Sequence, residues 1–207
     1  MTNLFIAYVA AFLLPLMFHS WRVAVIGLGV QGALLGLILA AHHNPWSLSL
    51  FCEYANLFVV HALFVPWYLF RSMRGHETAS DFSLIAKNLV QWVGAFLLVA
   101  LAFIFGSKVS PEDSLESLQV GTAAAAILIG LLVLSNQTHS LGQIVGLLTF
   151  EGGVTLVELL SPHAMPLPVF LGISLVFVIL VLTCGQYLGQ LLSMPANGEE
   201  AEEKATL

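Results

Sequence analysis

The chain has 207 residues, 58% of them hydrophobic and 9% charged, and its mean hydropathy of +0.93 excludes an ordinary soluble domain, where about a quarter of residues are charged. The formal net charge of −6 draws on Glu199, Glu200, Glu202 and Glu203, clustered in the tail MPANGEEAEEKATL; this is a short solvated end, and nucleic acid is excluded as a partner. Two cysteines, Cys52 and Cys184, fall at or within apolar segments and are too few for a disulfide framework or a zinc or iron–sulfur site, so no cofactor is expected on this chain.

The expected fold is all-α: a polytopic transmembrane helix bundle over residues 1–193, then an acidic, disordered cytoplasmic tail over 194–207. Apolar segments near the 17–25 residues that suit a spanning helix number seven. The first, Leu4–His19, is short, contains Pro15, and lacks the basic start and small-residue cleavage site of a signal peptide, so it reads as a retained span. Val23–Ala41 carries Gln31, Leu48–Phe70 carries Glu53, His61 and Pro66, and Leu84–Phe105 carries Gln91. Leu118–Leu134 follows, then Leu141–Leu160 with Glu151 and Glu158, and last Leu167–Leu192. The connections HHNPWS, RSMRGHETASDFS, SKVSPEDSLES, SNQTHS and SPHAMPLP place Pro and Ser where helices should stop, and none is long enough for a soluble domain.

Arg22, Arg71, Arg74 and Lys87 fall in loops on one side, with the tail, and Lys108 is the single base on the other. The excess of cytoplasmic Lys and Arg in membrane proteins then puts the N-terminus outside and the C-terminus in the cytoplasm. Trp21, Trp46, Trp67 and Tyr68 sit near helix ends, where interfacial anchors belong.

The chemistry lies in the polar groups within the spans. An ionised carboxylate at a helix centre costs at least about 2.5–3.5 kcal/mol, so Glu151 must be paired, protonated or facing water. Glu158 follows seven residues later, close to two turns, on the same face, while Gly152 and Gly153 allow a neighbouring helix or water to approach. Glu158 is near enough to a helix end to reach the interface, and Glu53, a turn inside its helix, is placed to snorkel or to cap backbone amides. His61 sits deep in the third span; an imidazole exchanges a proton near neutral pH, or equally serves as a hydrogen-bond partner between helices. Pro66 removes a backbone donor and leaves a carbonyl near Ala62 or His61 free, making a hinge that admits water beside His61. Gln31 and Gln91 are most simply interhelical hydrogen-bond groups, and the stretches GLGVQGALLG and GTAAAAILIG suit close helix packing. With no G-x-S-x-G, no H-E-x-x-H and no phosphate-binding glycine loop, the pattern is that of a proton path, and no catalytic residue is assigned.

The stretch LSNQTHSLGQIVGLLTFEGGVTLVELL resembles hydrogenase-4 component E proteins, in which a polar turn leads into a helix bearing G-x-x-x-x-E-N-G; the matching positions are Gly146, Glu151, Gly152 and Gly153. SWRVAVIGLGVQGALLGLIL resembles the family's second helix, with its glutamine at Gln31, and FVVHALFVPWYLFRSMR its third. More distantly, the sixth helix is similar to those of the NuoK subunit of respiratory complex I and the MrpC subunit of sodium/proton antiporters. The sequence departs from the family pattern at His61 (a lysine there), at Gly152 (asparagine), at Thr138 and Gly142 (basic residues), and around Ile173 and Ser174 (an acid). The resemblance implies a multi-pass subunit in a bacterial or archaeal cell membrane, within a formate-hydrogenlyase type complex and packed beside an antiporter-like subunit. Any iron–sulfur or nickel–iron centres would then belong to partner subunits. Two alternatives stay open: a non-conducting scaffold that seats a larger subunit, and an independent small proton-coupled transporter.

Overall fold

A computed structural model describes residues 1–18, 20–42, 48–73, 84, 89–159 and 166–193. The tail over 194–207, Trp46, Arg74 and Lys87 lie outside the described residues. Within them the protein is entirely helical, without strands: α1 (Thr2–Met17), α2 (Trp21–His42), α3 (Leu48–Asn56), a π-helical segment (Leu57–Phe64), α4 (Val65–Met73), α5 (Leu89–Val109), α6 (Ser114–Asn136), α7 (Ser140–Leu159) and α8 (Leu167–Ser193). The segment from α3 to α4 runs without interruption and forms a single candidate span.

Six helical stretches among the described residues are long and apolar enough to cross a membrane. The seventh candidate, α1, has 16 residues and rises only about 24 Å, against a hydrocarbon core of about 30 Å. Its buried Phe5, Tyr8, Phe12 and Leu16 pack it against α2 and α6. The expected fourth span also shifts. Helix α5 starts at Leu89, while buried Leu84 precedes it and offers its carbonyl to the Gln137 amide at 2.6 Å, tying the polar turn after α6 to the approach to α5.

Local chemistry explains how these apolar helices start and how they carry polar residues. Asp113 caps α6, accepting from the backbone amides of Leu115 at 2.7 Å and Glu116 at 3.3 Å, which satisfies two of its orphan donors. Thr122, Thr149 and Thr183 each donate to the carbonyl four residues back, at 2.7, 2.9 and 2.8 Å, so their hydroxyls need no outside partner. Gln91 donates across to Asn136 at 3.1 Å, the interhelical role read from the sequence.

Glycine decides which helices approach most closely. In α2, Gly29, Gly32 and Gly36 form one stripe facing the π segment and the start of α4: Gly29 meets Pro66 and the Ala62 carbonyl, Gly32 the His61–Ala62 peptide, and Gly36 the Phe58 ring. Gly27 meets the Pro15 ring of α1. On α7, Gly146 and Gly153 lie against the α6 backbone, and Gly130 of α6 lies against Phe150. This α6–α7 pairing and the adjoining α5–α6 pairing are the most extensive among the described residues, and α2 bridges α1, the π segment and α7. The outer faces of α5 (Leu89, Val93, Phe96, Leu97) and α8 (Leu171, Leu175, Val176, Ile179) remain exposed and apolar, as lipid-facing helices require.

A Cβ at Gly32 would stand 2.7 Å from the Ala62 amide nitrogen, whereas one at Gly94 would meet nothing within 4 Å. Gly32→Ala is therefore expected to destabilise the folded protein by about 1–3 kcal/mol through overpacking against backbone. Gly94→Ala should be neutral or gain up to about 1 kcal/mol of helix propensity. Thermal unfolding of both variants in one detergent checks the contrast, and equal midpoints would contradict it.

Candidate functional site

The site begins with the break in helical geometry between α3 and α4. Proline has no N–H to donate, so a regular helix cannot continue through Pro66 with all its bonds intact. The chain answers with a π turn: the Val65 amide bonds to the Val60 carbonyl, five residues back. The proline thus widens the helix without ending it, and His61 lies in the widened segment. Because the Gly32 Cα rests against the His61–Ala62 peptide, α2 brings its next-door Gln31 to the same place.

His61 is buried and held from two sides. Its ring stacks on Phe177 of α8, with centroids 4.2 Å apart and planes 5° from parallel. Its Nδ1 faces Glu151 Oε2 of α7 at 3.6 Å, a few tenths of an ångström beyond a direct hydrogen bond. The other carboxylate oxygen, Glu151 Oε1, accepts from the Thr155 hydroxyl at 3.0 Å. The two groups that the sequence marks as costliest to bury have therefore found each other, through residues 90 positions apart.

Two cavities flank the pair. The smaller, about 20 Å³, is bounded by Gln31, Gly32, His61, Glu151, Gly152 and Phe177 among others. The larger, about 110 Å³, carries Glu53, Asn56, Glu158, Thr155 and Ser174, and has His61 and Glu151 in its wall. Glu53 lies about a turn inside the candidate span Leu50–Met73 and Glu158 near the end of α7, so the larger cavity runs from near one end of these spans toward mid-span. Glu151 keeps 27% of its side chain exposed. A carboxylate with an imidazole on one side, a hydroxyl on another and a polar cavity beside it can exchange a proton without standing as an isolated buried charge.

Of the residues picked from sequence, the structure gathers Glu151, His61 and Gln31 at one point and joins Glu158 to them through the larger cavity. Gly152 faces the Tyr8 hydroxyl and Gly153 faces Ile127 and the Ala123 carbonyl, so both permit close approach. Pro66 seats against Gly29. Glu53 belongs with this group: it faces the same cavity as Glu158, beyond the capping or snorkelling role that its position alone indicates. Sequence reasoning passed over Phe177, Thr155 and Tyr8; Thr155, four residues after Glu151, was the one with a legible signal, since that spacing puts a hydroxyl over the carboxylate. His42, at the end of α2, and Lys108, at the end of α5, lie near helix ends outside this site. Compared with family models, curated proteins and solved structures, the chain matches none.

Water in the larger cavity is checkable by thiol chemistry. In a background with Cys52 and Cys184 replaced by Ser, Ser174→Cys is expected to react with a small cationic thiosulfonate. Replacing both Glu53 and Glu158 with Gln should slow that reaction about tenfold, since the acids concentrate the cation. An unreactive Ser174→Cys would show that the cavity is closed to water.

Proposed function

We propose that this chain is a membrane-arm subunit of an energy-converting, ion-translocating complex of the hydrogenase-4 or formate-hydrogenlyase type, providing part of a proton path beside an antiporter-like subunit. The observation that carries this reading is the approach of His61 Nδ1 to Glu151 Oε2 at 3.6 Å, at the inner end of a cavity that also holds Glu53 and Glu158. The motif resemblance around Gly146 and Glu151 supplies the choice of complex.

In this reading protons enter the larger cavity at the end bearing Glu53 and Glu158, which on the charge count of the loops is the outer one. They pass to Glu151. The Thr155 hydroxyl fixes one carboxylate oxygen, leaving the other free to share a proton with His61. Stacking on Phe177 orients the imidazole. Gln31, on the far side of the pair, offers both a donor and an acceptor and so suits a water-mediated continuation. No bond to carbon is made or broken by these groups; electron transfer belongs to other subunits.

Glu151→Gln keeps the size and hydrogen-bonding capacity of the side chain and removes its charge. In native membranes, the tagged variant is expected to retain its partner subunits in mild detergent while proton uptake into vesicles falls at least tenfold. Loss of the partners would favour the scaffold reading, with Glu151 as an assembly contact. Proton-coupled transport by the wild-type protein alone in liposomes, with no partner co-purifying, would favour an independent transporter.

A further inference from the structure

Two arginines stand at one level at one end of the bundle. Helix α2 runs antiparallel to the π segment and α4, with Gly36 against Phe58, Gly29 against Pro66, and the Trp21 ring 5.3 Å from that of Phe70. That register sets Arg22, at the start of α2, level with Arg71, near the end of α4. Both side chains are exposed. The Arg22 guanidinium lies 5.5 Å from the centre of the Trp21 ring and that of Arg71 5.9 Å from the centre of the Trp67 ring, each within cation–π range, so both are held against an aromatic plate.

An apolar track leads from each arginine toward mid-span. On α2, Ile26 and Val30 follow Arg22 at four-residue steps and are exposed. On the neighbouring segment Trp67, Leu63 and Val59 precede Arg71 at the same step and are exposed as well. The two tracks face the same way. Val30 comes one residue after Gly29 and Trp67 one residue after Pro66, and in antiparallel right-handed helices the same step from a shared contact turns both faces to one side of the seam. At 1.5 Å per residue the track from Arg71 to Val59 is about 18 Å long, close to the depth of one leaflet's hydrocarbon, about 15 Å.

A single arginine at the end of a span ordinarily extends to the interface by itself. Here two share one groove, and the five donors of a guanidinium leave each able to bind phosphate oxygens beside any bond it makes within the protein. We propose that this groove binds an anionic phospholipid, its headgroup phosphate held by Arg22 and Arg71 and one acyl chain lying along the seam of α2 and α4. This site is independent of the proton path. Basic groups between helices at the cytoplasmic face suit anionic headgroups, and the charge count of the loops puts this end of the bundle at that face. The phosphate also offsets the repulsion between two like charges held at one level.

The test is quenching of tryptophan fluorescence by lipids brominated on the acyl chain, with the full chain in vesicles. Replacing Trp46 and Trp92 with Phe leaves the signal to Trp21 and Trp67. In mixtures of brominated and plain lipids, phosphatidylglycerol is expected to compete for the surface beside these rings about tenfold better than phosphatidylcholine. Arg22→Gln combined with Arg71→Gln should bring that ratio to about one with helix content unchanged, whereas Lys108→Gln, at the opposite face of the membrane, should leave it as it was. Arg71→Lys, which keeps the charge and loses the planar fork, should lower it only part-way. Equal competition by the two lipids before either arginine is changed overturns the proposal, whether or not any arginine variant folds. A preference that survives the double arginine variant, or that falls as far in Lys108→Gln, marks a diffuse field of charge and overturns it too. Quenching by neither lipid would show the groove covered by protein, with the same consequence.

Discussion

Everything at the centre of this molecule depends on how closely α2 lies against the π segment. Side chains of ordinary size hold helix axes about 8–10 Å apart. At Gly29, Gly32 and Gly36 the α2 backbone instead meets the neighbouring segment directly, touching the His61–Ala62 peptide, the Ala62 carbonyl and the rings of Phe58 and Pro66. In an apolar solvent there is little hydrophobic drive to bring helices together, so this kind of backbone contact, made possible by small residues, is a main source of association. With α2 fixed there, Gln31 and His61 share one cavity, and Glu151 of α7, which also packs on α2, completes it.

The same constraint rationalises the irregular helix. A π turn holds one residue more than a regular turn and is weaker for it, and such turns recur at functional positions. Here Pro66 has already removed a donor, so the additional loss is small, and the turn sets His61 between the Phe177 ring and the Glu151 carboxylate. The glycine stripe, the proline and the π turn therefore act on one outcome, which is to place a titratable ring beside a titratable acid inside an apolar bundle.

Burial of Glu151 is tolerable for a reason visible in its surroundings. Breaking a buried pair by removing one partner is typically costly, and a carboxylate with no partner would neutralise or draw in water. Glu151 has the Thr155 hydroxyl, the His61 ring and a cavity with further polar groups. Two further acids, Glu53 of α3 and Glu158 near the end of α7, face the same cavity farther from mid-span. The arrangement grades from half-buried acids near the end of the spans to a paired acid at mid-span.

Much of the fold was legible in the sequence, because apolar length alone is enough to mark a spanning helix: the stretches around Val23–Ala41, Leu118–Leu134 and Leu141–Leu160 reappear as α2, α6 and α7 with ends shifted by a few residues. The shifts have local causes, such as Asp113 capping α6 ahead of its apolar run. Helical periodicity also put Glu151 and Glu158 on one face, and the price of burying charge singled out Glu151 and His61. What periodicity could not supply was the order of helices around the bundle, because an apolar helix surrounded by lipid-like residues shows little preference for one face. That His61 meets Glu151, that Glu53 lines the same cavity as Glu158, that Phe177 covers the imidazole and that the Tyr8 hydroxyl stands over Gly152 are juxtapositions of residues far apart in the chain. Only the packing of helices against one another, set by where glycine lets backbones touch, decided them.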